Sequence, residues 1–271
     1  MLDPNDLSGN TSSKADAKLL ADAAIRAGEI AKHYFGQDPQ VFDKGAEGPV
    51  TEADLAIDKM LHEVLLDARP TYGWLSEETE DDTMRLDAEH VFICDPIDGT
   101  RAFIEGGKSF AHSLAVAREG YITAAAVYLP MKNLLYMAER GGGATLNGAP
   151  ISVTQTSQLD QATVLTTTAN LQSHLWTGEV PAVAKAYRPS LAYRLALVAQ
   201  GRFDAMMAFR PTWEWDIAAG ALIVSEAGGL ATDGRGAALR FNGESAQVDG
   251  ILAGGVAVHE ALVARRAPEF G

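Results

Sequence analysis

A single cysteine, Cys94, is present among 271 residues. It excludes an intrachain disulfide and a thiolate metal site, and it makes a reducing compartment the default. Basic residues are in deficit: 22 Lys and Arg stand against 36 Asp and Glu, a formal net charge of -14. Duplex nucleic acid and anionic membrane surfaces reward clusters of Lys and Arg, so neither is expected as a partner. No apolar run approaches the ~18 residues that a membrane span needs. The first residues, "MLDPNDLSGNTSSKADAK", lack a basic n-region and an apolar h-region, so no targeting segment is expected and the location expected is cytoplasmic. Internal repeats and low-complexity segments are also missing. What is there is ordinary: 47% hydrophobic and 21% charged residues suit a globular chain with a sizeable core.

Residues 1–12 read as a flexible polar tail. From Ser13 the period becomes helical, with Leu20, Ala23, Ala24, Ala27, Ile30, Ala31 and Tyr34 on one face and Gly36 placed to stop it. A second helix follows Thr51 in "TEADLAIDKMLHEVLLDARP". Thr51 is its N-cap, Asp54 holds the capping-box position usually taken by Glu or Gln, and Pro70 ends it. "YGWLSEET" and "HVFIC" are short strands that run out on acids. "HSLAVAR", "ITAAAVYL" and "NLLYMAER", broken by "EGY" and "PMK", read as an antiparallel meander, and "GGGATLNGAPISV" as a hairpin turning at Asn147 and Gly148. Further on come a strand "TVLTTT", helical runs near 170–187 and 190–200, a strand "FDAMMAF", a helix from about Asp216 to Glu226, a strand "GILAGG" and a helix "AVHEALVAR". The polar stretch "QTSQLDQA" marks a boundary between an N-terminal half, 13–155, and a C-terminal half, 156–271.

Four acidic stretches lie at element ends: Asp54, Glu77 with Glu78, Asp95 with Asp98 in "DPIDGT", and Asp216 in "EWDIAAG". Acids at strand ends point out of the sheet edge, where α/β proteins collect their sites. Like charges in one cleft are costly unless a cation joins them. Oxygen donors without His or Cys suit Mg²⁺ better than zinc. Gly99 lets backbone approach a ligand, and a helix starting at Thr100 would aim its first N–H groups at an anion. Taken singly, each feature has a plainer account: Asp54 and Asp216 as helix caps, Glu77 and Glu78 as a solvated turn, "DPIDGT" as an Asx turn. The spacing is not that of an EF-hand loop, the glycines from 141 to 148 form no dinucleotide fingerprint, and the six histidines fall in no ligand spacing.

Together, Asp54, Glu77-Glu78, "DPIDGT" and "WDIAAG" resemble the inositol monophosphatase family of Mg²⁺-dependent, lithium-sensitive phosphatases. The resemblance extends through "GPVTEADLAID", "GGGATLNGAPISV", "LALVAQGRFDA" and "WDIAAGALIVSEAGG". It implies an α/β (α+β) fold, a layered αβαβα sandwich of the inositol monophosphatase and fructose-1,6-bisphosphatase type, often dimeric. It implies two or three Mg²⁺ ions: one on Glu77, Asp95 and the Ile97 carbonyl, one on Asp95, Asp98 and Asp216, and a weaker one on Glu77 and water. Thr100, supported by Asp54 or Glu77, would orient a water for in-line attack, and Asp98, Gly99 and Thr100 would contact substrate. No phosphoenzyme is expected.

Family members read the leaving group just before the "WD" motif. Here that stretch, "FRPTWEWD", lacks the Glu that grips sugar hydroxyls in inositol-specific members and offers Arg210 and Trp213. The expected substrate is a small phosphate ester of the inositol monophosphate type. "PT..EWD" also resembles bisphosphate nucleotidases, which take adenosine 3',5'-bisphosphate, and "DPIDGTRAF" resembles histidinol-phosphate phosphatases. A non-catalytic regulator on this fold would be marked by a lost metal ligand, and none is lost.

Overall fold

A computed structural model of the chain describes residues 7–43, 45 and 48–267. Helix α1 spans Leu7–Tyr34, starting six residues before Ser13. Residues 7–12 of the expected tail are therefore helical, and 1–6 lie outside the described residues. Once the apolar face from Ala17 to Ala31 is packed, added turns need no new nucleus, so weak helix formers such as Ser8 and Gly9 are carried along. Strands β1 (Val41–Asp43) and β2 (Pro49–Thr51) pair antiparallel. They lead into α2 (Glu52–Ala68). The capping box forms with Asp in place of Glu: Thr51 Oγ1 accepts from the N–H groups of Ala53 and Asp54, and Asp54 Oδ2 accepts from Thr51 N at 2.9 Å.

The first sheet has seven strands in chain order: β3 (Gly73–Ser76), β4 (His90–Asp98), β5 (Ala111–Arg118), β6 (Tyr121–Leu129), β7 (Leu134–Glu139), β8 (Gly143–Leu146) and β9 (Ala149–Pro150). Only β3 and β4 run parallel; the rest is the expected meander. The short helix α3 (Thr100–Ile104) follows β4. Asn147 and Gly148 both take positive φ, as a two-residue hairpin turn requires.

The second half adds β10 (Thr163–Leu165), β11 (Ala184–Ala186), α4 (Leu191–Ala199), β12 (Ala205–Ala208), β13 (Thr212–Trp213), α5 (Glu214–Glu226), β14 (Leu230–Thr232), β15 (Gln247–Val248), β16 (Ile251–Gly254) and α6 (Val256–Val263). Its main sheet has the order β11-β10-β12-β16-β14. The helix expected near 170–187 is not formed. Two single 3₁₀ turns and β11 occupy that span. Pairing of Ala184–Ala186 with Thr163–Leu165 settles it, and Pro181 cannot sit inside a helix.

Alternation along β4 builds the layers. Phe92 and Cys94 face α1 and α2 through Leu20, Ala27, Ile57 and Leu61. Val91 and Ile93 face α4 and α5 through Leu195 and Ile217. The second sheet packs under α6 through Val164, Met207, Leu252 and Val258. The order is helices, sheet, helices, sheet, helix: the αβαβα sandwich. Ala124, Ala125 and Ala126 in β6 are fully buried and leave room for helices on both faces. No helix among the described residues is long and apolar enough to cross a membrane.

Candidate active site

The site forms where β4 stops. The strand runs through Pro96 to Asp98, and its register with β5 shifts between Asp95 and Asp98. A bulge is where a strand tolerates proline, because the missing N–H breaks no ladder bond there. Asp95 is 1% exposed, and neither carboxylate oxygen has a hydrogen-bond partner among the described residues. Asp98 has the opposite surroundings. Ser190 Oγ and Ala192 N each donate to its Oδ2 at 2.6 Å, and Leu191 N donates to Oδ1 at 3.2 Å. Asp98 thus sits on the N-terminus of α4, where backbone donors favour an anion.

Gly99 turns the chain with φ 102°, a conformation suited to glycine, and Thr100 opens α3. Thr100 Oγ1 lies 3.0 Å from Ile97 O and 3.3 Å from Asp54 Oδ1, so its one proton has two acceptors. Glu77 follows β3, tied by its N–H to Cys94 O at 3.3 Å. Asp216 stands in the first turn of α5. One oxygen each of Asp95, Asp98 and Asp216 lies within 4.8 Å of the others.

Crowding shows in the titration of these groups. Burial pushes Asp95 well above the usual carboxylate range, and Glu77, Asp98, Asp216 and Asp54 add to it. Asp216 is pushed up to about 8, by burial first and Asp98 second, while Arg210 and Arg194 pull it down. Asp54 rises to about 6 through burial, against the bonds from Thr51 and Thr100. Asp98 also rises through burial, offset by Ser190, Ala192 and Leu191. A buried carboxylate without donors, beside two others, fits a hard divalent cation: it supplies the missing partner and removes the repulsion.

A cavity of about 490 Å³ opens over the cluster. Glu77, Asp95, Ile97, Asp98, Gly99, Thr100, Arg210, Trp213 and Asp216 all line it, while Asp54 lies behind Thr100. Trp213 stacks on Trp215, with centroids 4.7 Å apart and planes at 10°. Glu78 lines a second cavity of about 470 Å³ that shares Glu77 and Trp213. Glu214, the acid inside "WEWD", is 1% exposed and accepts from Asn242 N and Gly243 N, so it braces a loop. Cys94 is buried core beside the site, as its position suggests.

Several lining residues lie in no motif, among them Tyr187 and Arg194. Ser190 had a readable role as N-cap of α4, and its Oγ accepts from Tyr193 N at 2.9 Å. Its bond to Asp98 spans 92 positions and has no local signal.

Residues 14–269 match the model of the inositol monophosphatase family. An inositol-1-monophosphatase of Rhizobium meliloti is 37% identical over 256 residues, covering 90% of this chain and 93% of that protein. Among solved structures, the extragenic suppressor protein suhB of Bartonella henselae gives a TM-score of 0.80 at 32% identity, covering 92% of this chain and 97% of its own. An IMPase of Thermotoga maritima gives 0.77 at 27% identity, covering 90% and 93%. Sequence, layers and acid cluster agree: the chain belongs to the inositol monophosphatase family and is a phosphoric monoester hydrolase of a metal-dependent kind.

Proposed function

We propose that the cavity hydrolyses a small phosphate ester with Mg²⁺ held by Glu77, Asp95, Asp98, Asp216 and the Ile97 carbonyl. The observation that carries this is Asp95, buried with both oxygens lacking a partner among the described residues and with four further acids around it. The ligand sets are those of the resemblance: Glu77, Asp95 and Ile97 for one ion, Asp95, Asp98 and Asp216 for a second, Glu77 and water for a weaker third. The ions would supply positive charge that acidifies the attacking water and stabilises the leaving oxygen.

The chain's own groups do the positioning. Thr100 Oγ1, donating to Asp54 or Ile97, turns a lone pair toward the cavity and orients the water through it. Asp54, raised to about 6, is poised to take a proton near neutral pH. The N–H groups of Gly99 and Thr100 hold phosphate oxygens. Water oxygen bonds to phosphorus as the ester P–O bond breaks, and the departing oxygen takes up a proton, giving alcohol and inorganic phosphate. Arg210 and Trp213 face the leaving group. The halves 13–155 and 156–271 act as two walls of one cleft. The reading extends to a homodimer in the cytoplasm, which sedimentation and fractionation would check.

Purified protein should release phosphate from 4-nitrophenyl phosphate and inositol 1-phosphate with Mg²⁺ and stop with chelator. Full activity under chelation refutes the metal requirement, and no release from any phosphomonoester refutes hydrolysis.

A further inference from the structure

The cavity also carries cationic side chains. On a chain of net charge -14, Arg194 and Arg210 both line it beside the acids. Arg194 is 5% exposed and is the single charged residue of the nine in α4. Burying a guanidinium is costly without partners. Its Nε donates to the Arg188 carbonyl, and its Cζ lies 4.5 Å from the centre of the Tyr187 ring. Arg210 lies in the turn between β12 and β13, exposed, with Nη1 donating to its neighbour Pro211 O at 3.3 Å.

Arg194 and Arg210 act on Asp216 only through space. Neither forms an ion pair with a carboxylate among the described residues. They line one cavity, where Asp98 attracts Arg194 and Arg210 repels it, a repulsion that an anion between the two would relieve. Guanidinium groups match phosphate and carboxylate oxygens pairwise.

We propose that Arg194 and Arg210, with the Tyr187 ring, form a subsite for a second anionic group, so that the preferred ester carries a phosphate or carboxylate besides the phosphate removed. This rests on the hydrolytic reading of the cavity, and it takes the substrate class away from a plain sugar-alcohol monophosphate.

Two matched pairs test it on the Mg²⁺-loaded enzyme. Adenosine 3',5'-bisphosphate against adenosine 3'-monophosphate adds a phosphate; 2-phosphoglycerate against glycerol 2-phosphate adds a carboxylate. The expected result is a kcat/KM ratio of about tenfold or more in at least one pair, equivalent to ~1.4 kcal/mol. The pair that shows it names the source of the anion. Arg194→Gln and Arg210→Gln should each bring that ratio toward one. Arg210 is exposed, so its variant carries the test should Arg194→Gln fail to fold. Ratios near one in both pairs, or ratios that neither substitution moves, overturn the subsite. So does a preference for a cationic leaving group, as in histidinol phosphate. Calorimetric Kd values for the same pairs on chelated enzyme repeat the comparison without turnover. Preferential binding with no hydrolysis of any ester overturns the hydrolytic reading and leaves the subsite standing; equal Kd values overturn the subsite.

Discussion

Chelated enzyme should lose stability as pH rises from 6.5 to 8. Asp216 titrates at about 8 in the folded chain and near 3.9 in an unfolded one. Between those values the folded state holds a proton that the unfolded state has lost. Stability then falls with rising pH, because the slope follows protons bound in the unfolded minus the folded state. Integrated from pH 6.5 to 8, Asp216 alone accounts for about 2 kcal/mol. Asp216 is only partly buried at the cavity surface, so solvent trims this figure. Asp95 is raised by the same causes and adds in the same direction. His112 and His259, lowered to about 4, work the other way, since their stabilisation is lost as pH falls from 6.5 toward 4. Above 6.5 their opposition fades, and the two together offset less than about 1 kcal/mol. For a chain of this size about 2 kcal/mol is ~4–8 °C in Tm. Thermal unfolding with chelator at closely spaced pH values reads it directly. Mg²⁺ should raise Tm more at pH 8 than at 6.5, because ligands bind as anions. Asp216→Asn should flatten the chelated profile. A chelated Tm that rises across the interval, or an unchanged slope in that variant, would refute the reasoning.

Asp95→Asn should lower kcat/KM on the order of a thousandfold, ~4 kcal/mol, while Glu78→Gln stays within about tenfold; equal losses show that the ligand set is misassigned. Thr100→Val should cut kcat by about 10²–10⁴ with little change in KM, and Thr100→Ser should recover most of it; a raised KM at constant kcat makes Thr100 a binding group instead. Li⁺ in the tens of millimolar should slow turnover relative to Na⁺ at equal ionic strength, and identical rates count against the lithium sensitivity that the resemblance implies. Gly220→Ala places a Cβ 2.5 Å from Leu195 Cβ and Cδ1, forcing α4 from α5. It should cost about 1–3 kcal/mol and weaken Mg²⁺ binding, with Leu195→Ala partly restoring both; a raised Tm shows that the contact gives way.

What could be read from the sequence is what depends on neighbours. The Thr51–Asp54 box, the breaks in the meander and the Asn147-Gly148 turn are all set within a few residues. The stretch near 170–187 misleads because its fate is decided by pairing with β10, which no local period records. Strand β4 outruns "HVFIC" because a bulge takes in Pro96. The acids announce themselves by type and order, yet Asp54 serves twice: it caps α2 and accepts from Thr100, 46 positions away. Arg194 carries no signal, since a lone arginine in an apolar helix reads as a surface charge until the cavity beneath it is seen.

Asp95 and Asp98 stand three residues apart at the end of one strand, and the fold treats them oppositely. Asp98 receives three donors from the start of α4; Asp95 receives none among the described residues. The helix terminus helps hold charge on Asp98, while Asp95, without such donors among the described residues, is raised by burial and by the acids around it. A core of this quality could cover a lone acid with a serine or a backbone amide, as it does for Asp98. Leaving Asp95 bare costs stability in the empty protein, and evolution tolerates such a cost at functional sites. The segment that satisfies Asp98 comes from the second half of the chain, while Asp95 and Asp98 come from the first. Packing α4 onto Asp98 therefore ties together residues 92 to 94 positions apart, while Asp95 is left without a donor among the described residues, an arrangement that a bound cation would complete.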